Sequence, residues 1–154
     1  MKPERMIPQD QALDILASCN LGTLSMVTPD GLPYGVPINY SFDAKKNALY
    51  LHCAIKGKKL DCLNYQPMVS FSVYRNPTIV EEKFTTHYES VLVTGRAEVL
   101  SDPEEKRKVL FDFSMALAPA GAYRLEEVID KYWHAVAIIK IAIEKMEGKR
   151  NMDM

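Results

Sequence analysis

Alternation of polar and apolar residues, renewed after almost every short turn, is the feature that most constrains how this chain can fold. Thr23-Leu24-Ser25-Met26-Val27 alternates and meets the turn-forming Thr28-Pro29-Asp30-Gly31, after which residues 32–42 resume an extended pattern. The pair reads as a β-hairpin. Pro33 and Pro37 lack amide donors, which places the second strand at an edge or a bulge and leaves backbone groups there free for a ligand. Further extended runs cover residues 49–53, 69–74, 88–100 and 136–144; in the last, Ile139, Ile141 and Ile143 stand against Lys140, Ala142 and Glu144 with a two-residue period. Gly95 is a candidate bulge.

Helical signals are fewer. Residues 8–20 carry Leu13, Leu16 and Ala17 at i, i+3 and i+4, with Pro8 tolerable in the first turn and Asn20 and Gly22 able to end the helix. A short helix follows Gly57, over residues 58–65. Asp102-Pro103-Glu104-Glu105 combines a capping Asp, a first-turn Pro and an acidic third position, and opens a helix with Val109, Phe113, Ala116 and Leu117 as its expected buried stripe. Residues 125–131 form a short helical stretch after Pro119-Ala120-Gly121. The total of about six strands and three helices, joined mainly by short turns, favours a mainly β, α+β antiparallel barrel over a doubly wound parallel sheet.

The 154 residues correspond to one domain, residues 1–154. A hydrophobic content of 47% and a charged content of 25% are those of a globular chain that can build a core. Nineteen basic against 20 acidic side chains give no cationic excess, so nucleic-acid binding is not expected, while a small anionic ligand is compatible. Residues 135–143 are the longest apolar-leaning stretch and contain Lys140, far short of the ~20 residues of a membrane span. The first residues run into polar Gln9-Asp10-Gln11 rather than an apolar export segment, and Cys19, Cys53 and Cys62 are an odd number, so the expectation is a cytoplasmic protein with reduced thiols and no membrane partner.

The richest chemistry lies in His52-Cys53-Ala54-Ile55-Lys56-Gly57-Lys58-Lys59-Leu60-Asp61. Here a strand feeds a loop with one glycine and three lysines, and a helix begins. Free amides, the positive end of the helix dipole and ammonium groups can converge there on one anion, for which phosphate is the natural guess; a solvated lysine turn is the plainer alternative. Neither a Walker loop nor a Gly-x-Gly-x-x-Gly follows any strand. His52 and Cys53, adjacent on a strand, point to opposite faces, and the remaining histidines and cysteines show no ligand spacing, so no metal site is expected. Tyr132-Trp133-His134 supplies either an aromatic wall for a flat ligand or plain core.

Four segments in order, Arg5-Met6, Gly31-Leu32-Pro33-Tyr34-Gly35-Val36-Pro37-Ile38-Asn39-Tyr40, Leu49-Tyr50-Leu51-His52-Cys53-Ala54 with Gly57-Lys58-Lys59-Leu60-Asp61, and Tyr88 to Glu98, resemble the pyridoxamine phosphate oxidase-like flavin proteins, and more narrowly their 5-nitroimidazole-resistance-related branch. The resemblance implies an FMN-binding, six-stranded antiparallel split β-barrel with flanking helices, assembled as a homodimer with flavin at the subunit interface. It implies that Val36, Pro37, Ile38, Asn39 and Tyr40 lie along the isoalloxazine ring, that Lys58 and Lys59 stand near the FMN phosphate, and that His52 faces the flavin region, where it is also a candidate proton donor. Ser90 and Trp133 are implied as contributors from the facing subunit or the pocket rim. The implied function is an FMN-dependent oxidoreductase that reduces a small flat acceptor, nitroaromatic or quinone-like, with electrons from NADH, NADPH or a reductase. A flavin carrier or sensor and a haem-binding barrel are the alternatives. The ending Gly148-Lys149-Arg150-Asn151-Met152-Asp153-Met154 lacks the Arg-Leu-x-Pro of the vitamin-forming oxidases, so pyridoxamine phosphate oxidation is not expected.

Overall fold

In the computed structural model, which describes residues 2–152, the chain runs β1 (Met6–Ile7), α1 (Gln9–Ser18), β2 (Leu21–Val27), β3 (Pro33–Asn39), β4 (Ser41–Asp43), β5 (Ala48–Ala54), α2 (Lys58–Tyr65), β6 (Met68–Val80), β7 (Thr85–Val99), α3 (Pro103–Leu117), α4 (Leu125–Tyr132) and β8 (Val136–Asn151). Short 3-10 turns occupy Pro3–Arg5, Glu81–Lys83 and Pro119–Arg124. Every strand pairing is antiparallel. The order is β3-β2-β6-β7-β8-β5-β4, with β1 added to β8. The sheet curls without closing, which makes it a split barrel.

Among the described residues eight strands replace the expected six, and the short stretch expected at 125–131 is a full α-helix, the fourth beside the three counted from sequence. Residues 32–42, expected as one strand, divide at Tyr40. Its N–H still bonds the Asn20 carbonyl beside β2 (3.0 Å), but Ser41 and Phe42 pair across to Tyr50 and Leu49 of β5. The last strand continues past Glu144 to Asn151. Its two-residue period breaks because the register with β7 shifts from Thr94↔Lys145 to Gly95↔Ile143, leaving Glu144 as the extra residue of a bulge. Gly95 is required at that crowded position: a Cβ there would lie 2.3 Å from the Ala142 carbonyl oxygen.

The barrel interior is filled by Leu24 and Met26 of β2, Leu49 and Leu51 of β5, Val69, Phe71 and Val73 of β6, Val91 and Val93 of β7, and Ile139 and Ile141 of β8. α1 and α2 close this core with Ala12, Ile15, Leu16, Cys62 and Leu63. The buried face of α1 is therefore Ala12-Ile15-Leu16 and not Leu13-Leu16-Ala17; both triplets have i, i+3, i+4 spacing, and Ala17 is exposed. Tyr40 helps to fix the choice, since its buried hydroxyl donates to the Leu16 carbonyl at 2.6 Å, one of the acceptors left open where α1 ends. A second apolar layer covers the outside of β5 and β8, where α3 and α4 place Val109, Leu110, Leu125 and Ile129 on Ala48, Tyr50 and Ile138. Asp102 caps α3 as its sequence indicates, accepting from the Glu105 N–H at 3.2 Å, whereas Ala116 is exposed and Leu110 takes its place in the stripe. The outer face bearing Thr23, Ser25, Ser72 and Tyr74 is exposed.

Candidate functional site

The split lies between β3 and the second half of β5. β4 pairs only with Ala48, Leu49 and Tyr50, so beyond them β5 is bonded on one side alone, to β8. β3 approaches that free side but shares no ladder with it. The phase of the β2–β3 ladder is set by two bonds at its ends: Tyr40 N–H to the Asn20 carbonyl, and Thr28 N–H to the Leu32 carbonyl at 2.8 Å. The register between them is unbroken, so the main-chain groups of Tyr34, Val36 and Ile38 face β2, and those of Pro33, Gly35, Pro37 and Asn39 face the open edge. Both prolines thus stand where no ladder donor is lost, as the sequence required of an edge strand, and unpaired carbonyls line the opening.

α2 begins at this opening. Gly57 precedes it with φ 149° and ψ 178°, a conformation essentially confined to glycine, and the space that a Cβ would enter there is empty. No side chain caps the helix, and the first helical donor is Asp61 N–H, bonded to the Gly57 carbonyl at 3.2 Å. The amides of Lys58, Lys59 and Leu60 are therefore the unsatisfied donors of the helix start, at the positive end of its dipole. Lys56, Gly57, Lys58, Lys59 and Leu60 surround a cavity of about 70 Å³ with Tyr34, Cys53 and Ala54. Lys58 Nζ lies 4.3 Å from the centre of the Tyr34 ring, which ties the lysine turn to β3 across the split. The half-buried Cys53 thiol, its pKa raised by loss of solvent and pulled the other way by Lys59, stays protonated at the cavity wall.

A cavity of that size accommodates a compact anion such as phosphate, since a water molecule takes roughly 30 Å³. It is far below the roughly 300 Å³ at which pockets for larger organic ligands begin, so a larger molecule held here by its anionic end must extend along the open edge.

The sequence-derived residues fall into three places. Val36, Pro37, Ile38 and Asn39 lie on β3, which borders the split, and Lys58 and Lys59 open α2 at its mouth; Tyr34 is the β3 residue that lines the cavity there, while Val36 and Ile38 pack against the core. Tyr40 ends the same strand, but its ring is turned into the core, where it packs edge-on against Phe71 at 5.0 Å. His52 and Trp133 lie on the helical layer outside the barrel: the His52 ring is 4.9 Å from that of Phe113 on α3, and Trp133 carries Lys106 Nζ 4.3 Å above its ring and bonded to its carbonyl at 2.9 Å. Ser90, on β7, pairs with Tyr74 and Lys149 and is separated from β3 by β2 and β6. Within one chain, then, neither His52, Trp133 nor Ser90 joins the lysine turn.

One participant escaped the sequence reading. Tyr34 sits inside the segment that raised the resemblance, yet only the fold brings it under Lys58. Tyr88 stands two residues from Ser90, with Lys149 Nζ 5.3 Å from its ring centre; Lys149, and less strongly Arg5, hold its hydroxyl below the usual tyrosine range. Among the described residues there is no cluster of His, Cys, Asp or Glu able to hold a metal ion, and no helix is long and apolar enough to cross a membrane.

The same architecture recurs in proteins of known structure. A candidate 5-nitroimidazole antibiotic resistance protein from Bacteroides thetaiotaomicron aligns over 94% of this chain and 86% of its own, with a TM-score of 0.75 at 22% identity. An FAD-binding protein from Mesorhizobium loti covers 96% and 97% with a TM-score of 0.70 at 24% identity. A flavocytochrome from Azotobacter vinelandii covers 99% of this chain and 73% of its own, with a TM-score of 0.83 at 22% identity. No curated protein sequence matches. At these identities the likeness establishes the split-barrel fold; the family comes from the sequence itself, because residues 8–150, from the start of α1 to the end of β8, match the pyridoxamine 5'-phosphate oxidase family model, and the chain belongs to that family.

Proposed function

We propose that this protein binds FMN at the split of its barrel and works as an oxidoreductase on a small flat acceptor. The observation that carries this reading is the juxtaposition of an unpaired strand edge, β3, with an uncapped helix start bearing Lys56, Lys58 and Lys59. The phosphate fits the cavity at Gly57, where free amides, the α2 dipole and the lysine ammonium groups all favour a dianion. The isoalloxazine ring then follows the outward carbonyls of β3, whose acceptors suit the ring's N–H. Structures of the same fold include an FAD-binding protein and a flavocytochrome, which supports a flavin in this chain. When bound, the flavin supplies hydride or electron transfer.

The chain's own part is to hold, orient and shield. One chain offers a small cavity and an open edge, which leaves most of a flavin uncovered. A homodimer placing the exposed outer sheet of one copy over the split of the other supplies the missing walls, and in such an arrangement Ser90 and Tyr88 come from the facing subunit. Electrons are drawn from NADH, NADPH or a reductase, and a nitroaromatic or quinone stacks on the uncovered ring face.

The reading is tested by the visible absorption spectrum of the purified protein before and after addition of FMN, identification of the chromophore released by heat, and anaerobic reduction by NADH or NADPH followed by reoxidation with menadione. Flavin bands, released FMN and reoxidation without oxygen are the expected results. A colourless protein that fails to take up FMN overturns the reading, and bound FMN that neither donor reduces leaves a carrier in place of an enzyme.

A further inference from the structure

The cavity at the lysine turn has two kinds of wall. Residues 53, 54 and 56–60, running from the end of β5 into α2, supply one side of its roughly 70 Å³, and the Tyr34 side chain supplies the other from β3. That ring is held on two sides: it packs against the barrel core, and Lys58 Nζ lies 4.3 Å from its centre. The Tyr34–Lys58 contact therefore bridges the split by side chains alone.

Tyr34 precedes the outward row Gly35, Pro37 and Asn39, along which the flavin ring is placed. A molecule lying on that row with its phosphate in the cavity can continue past the phosphate only beyond Tyr34, toward the β2–β3 turn. Asp30 occupies that turn. Its carboxylate accepts from the Thr28 hydroxyl; that bond first, then its own amide and the Lys58 ammonium, hold its pKa below the usual carboxylate range, so it is ionised at neutral pH.

FMN and FAD differ at this place. In FMN the phosphate is terminal and carries roughly 1.5–2 negative charges at neutral pH. In FAD the same phosphate is joined to a second one, keeps a single charge and bears an adenosine that needs a way out. The cavity has room for one phosphate. A second phosphate has to displace a ring anchored on the core, break its contact with Lys58 and pass a carboxylate of like charge. The fold itself does not exclude the larger cofactor, since the Mesorhizobium loti protein that shares it binds FAD.

We propose that the Tyr34–Lys58 contact, with Asp30 behind it, makes this site selective for FMN over FAD by ending the cavity after one phosphate. The inference rests on the flavin reading and adds to it the residues that choose the cofactor.

Isothermal titration calorimetry of the flavin-free, full-length protein with FMN and with FAD reads the choice as a ratio of affinities. The parent is expected to bind FMN more than about tenfold tighter than FAD, because FAD forfeits both the cation–π contact and the packing of the ring. Tyr34→Val keeps a β-branched residue in the strand and opens the wall; it should cut the ratio about tenfold, chiefly by strengthening FAD. Asp30→Asn changes an exposed turn residue and keeps an acceptor for Thr28; it should cut the ratio roughly threefold. Tyr34→Phe, with the ring in place, should retain the parent's ratio. A parent that binds FAD as tightly as FMN, or an unchanged ratio in Tyr34→Val or in Asp30→Asn, overturns the proposal and leaves the flavin site standing. A parent that binds neither flavin overturns the flavin reading and this inference with it.

Discussion

Removal of both ammonium groups from the start of α2, by Lys58→Ala with Lys59→Ala, isolates the phosphate half of the proposed site. Lys58 is exposed and Lys59 half-buried, so each contact to a phosphate oxygen belongs at the weak end of charge-assisted hydrogen bonds, about 1.5 kcal/mol. Two such contacts sum to about 3 kcal/mol, a loss of roughly a hundredfold in FMN affinity. The free amides at residues 58–60 and the helix dipole remain, so binding is weakened and not abolished. Folding is little affected, because what the fold loses is the Lys58–Tyr34 cation–π contact, worth about 0.5 kcal/mol at an exposed position. Fluorescence-quenching titrations with FMN and with riboflavin, which has the ring and ribityl chain without the phosphate, separate the two halves of the ligand. The parent should prefer FMN strongly and the double variant should prefer it far less, with riboflavin affinity nearly constant. An unchanged ratio of FMN to riboflavin affinity would refute the placement of the phosphate at the lysine turn.

Three further outcomes follow from the fold. Tyr40→Phe removes the donor to the Leu16 carbonyl inside the core, and thermal unfolding should show a loss of about 1–3 kcal/mol; an unchanged midpoint would mean that water or another donor satisfies that carbonyl. Gly95→Ala places a methyl group against the Ala142 carbonyl oxygen and should destabilise by more than about 2 kcal/mol in urea, whereas Gly121→Ala, with nothing within 4 Å, should stay within about 0.5 kcal/mol. Glu89 is held below its ordinary value of 4.5 first by its bond to Arg75 and then by Arg150, so its folded-state pKa is depressed. The stability it contributes is present above pH 4.5 and is lost as pH falls through the folded value; Glu89→Gln should flatten this acid limb of the stability profile, and an identical limb in the variant would remove Glu89 as its source.

What could be read from sequence was local. The prolines of β3 declared an edge strand because a missing donor is tolerated only where no ladder partner waits, and Gly95 declared a bulge because one crowded backbone position excludes a Cβ. The lysine turn was legible for the same reason, since strand, glycine, cations and helix start are consecutive residues. Two overlapping apolar triplets in α1 satisfied the same spacing, and the choice between them depended on Tyr40, which is distant in sequence. The end of β8 was hidden by its own bulge, which interrupts the period that reveals a strand. Glu89, buried between Arg75 and Arg150, joins partners 14 and 61 positions away and has no local signature. His52 and Trp133 were grouped with the lysine turn by a family resemblance, while the fold places both against α3 and α4, so a role for either at the flavin depends on assembly of two chains.

The most direct test of the central claim is a crystal structure of the protein grown with FMN. The phosphate is expected within hydrogen-bond distance of the Lys58, Lys59 and Leu60 amides, with the ring along the outward carbonyls of Gly35, Pro37 and Asn39 and a second copy of the chain closing over it. Flavin density at any other position, or an empty split in crystals saturated with FMN, would contradict it.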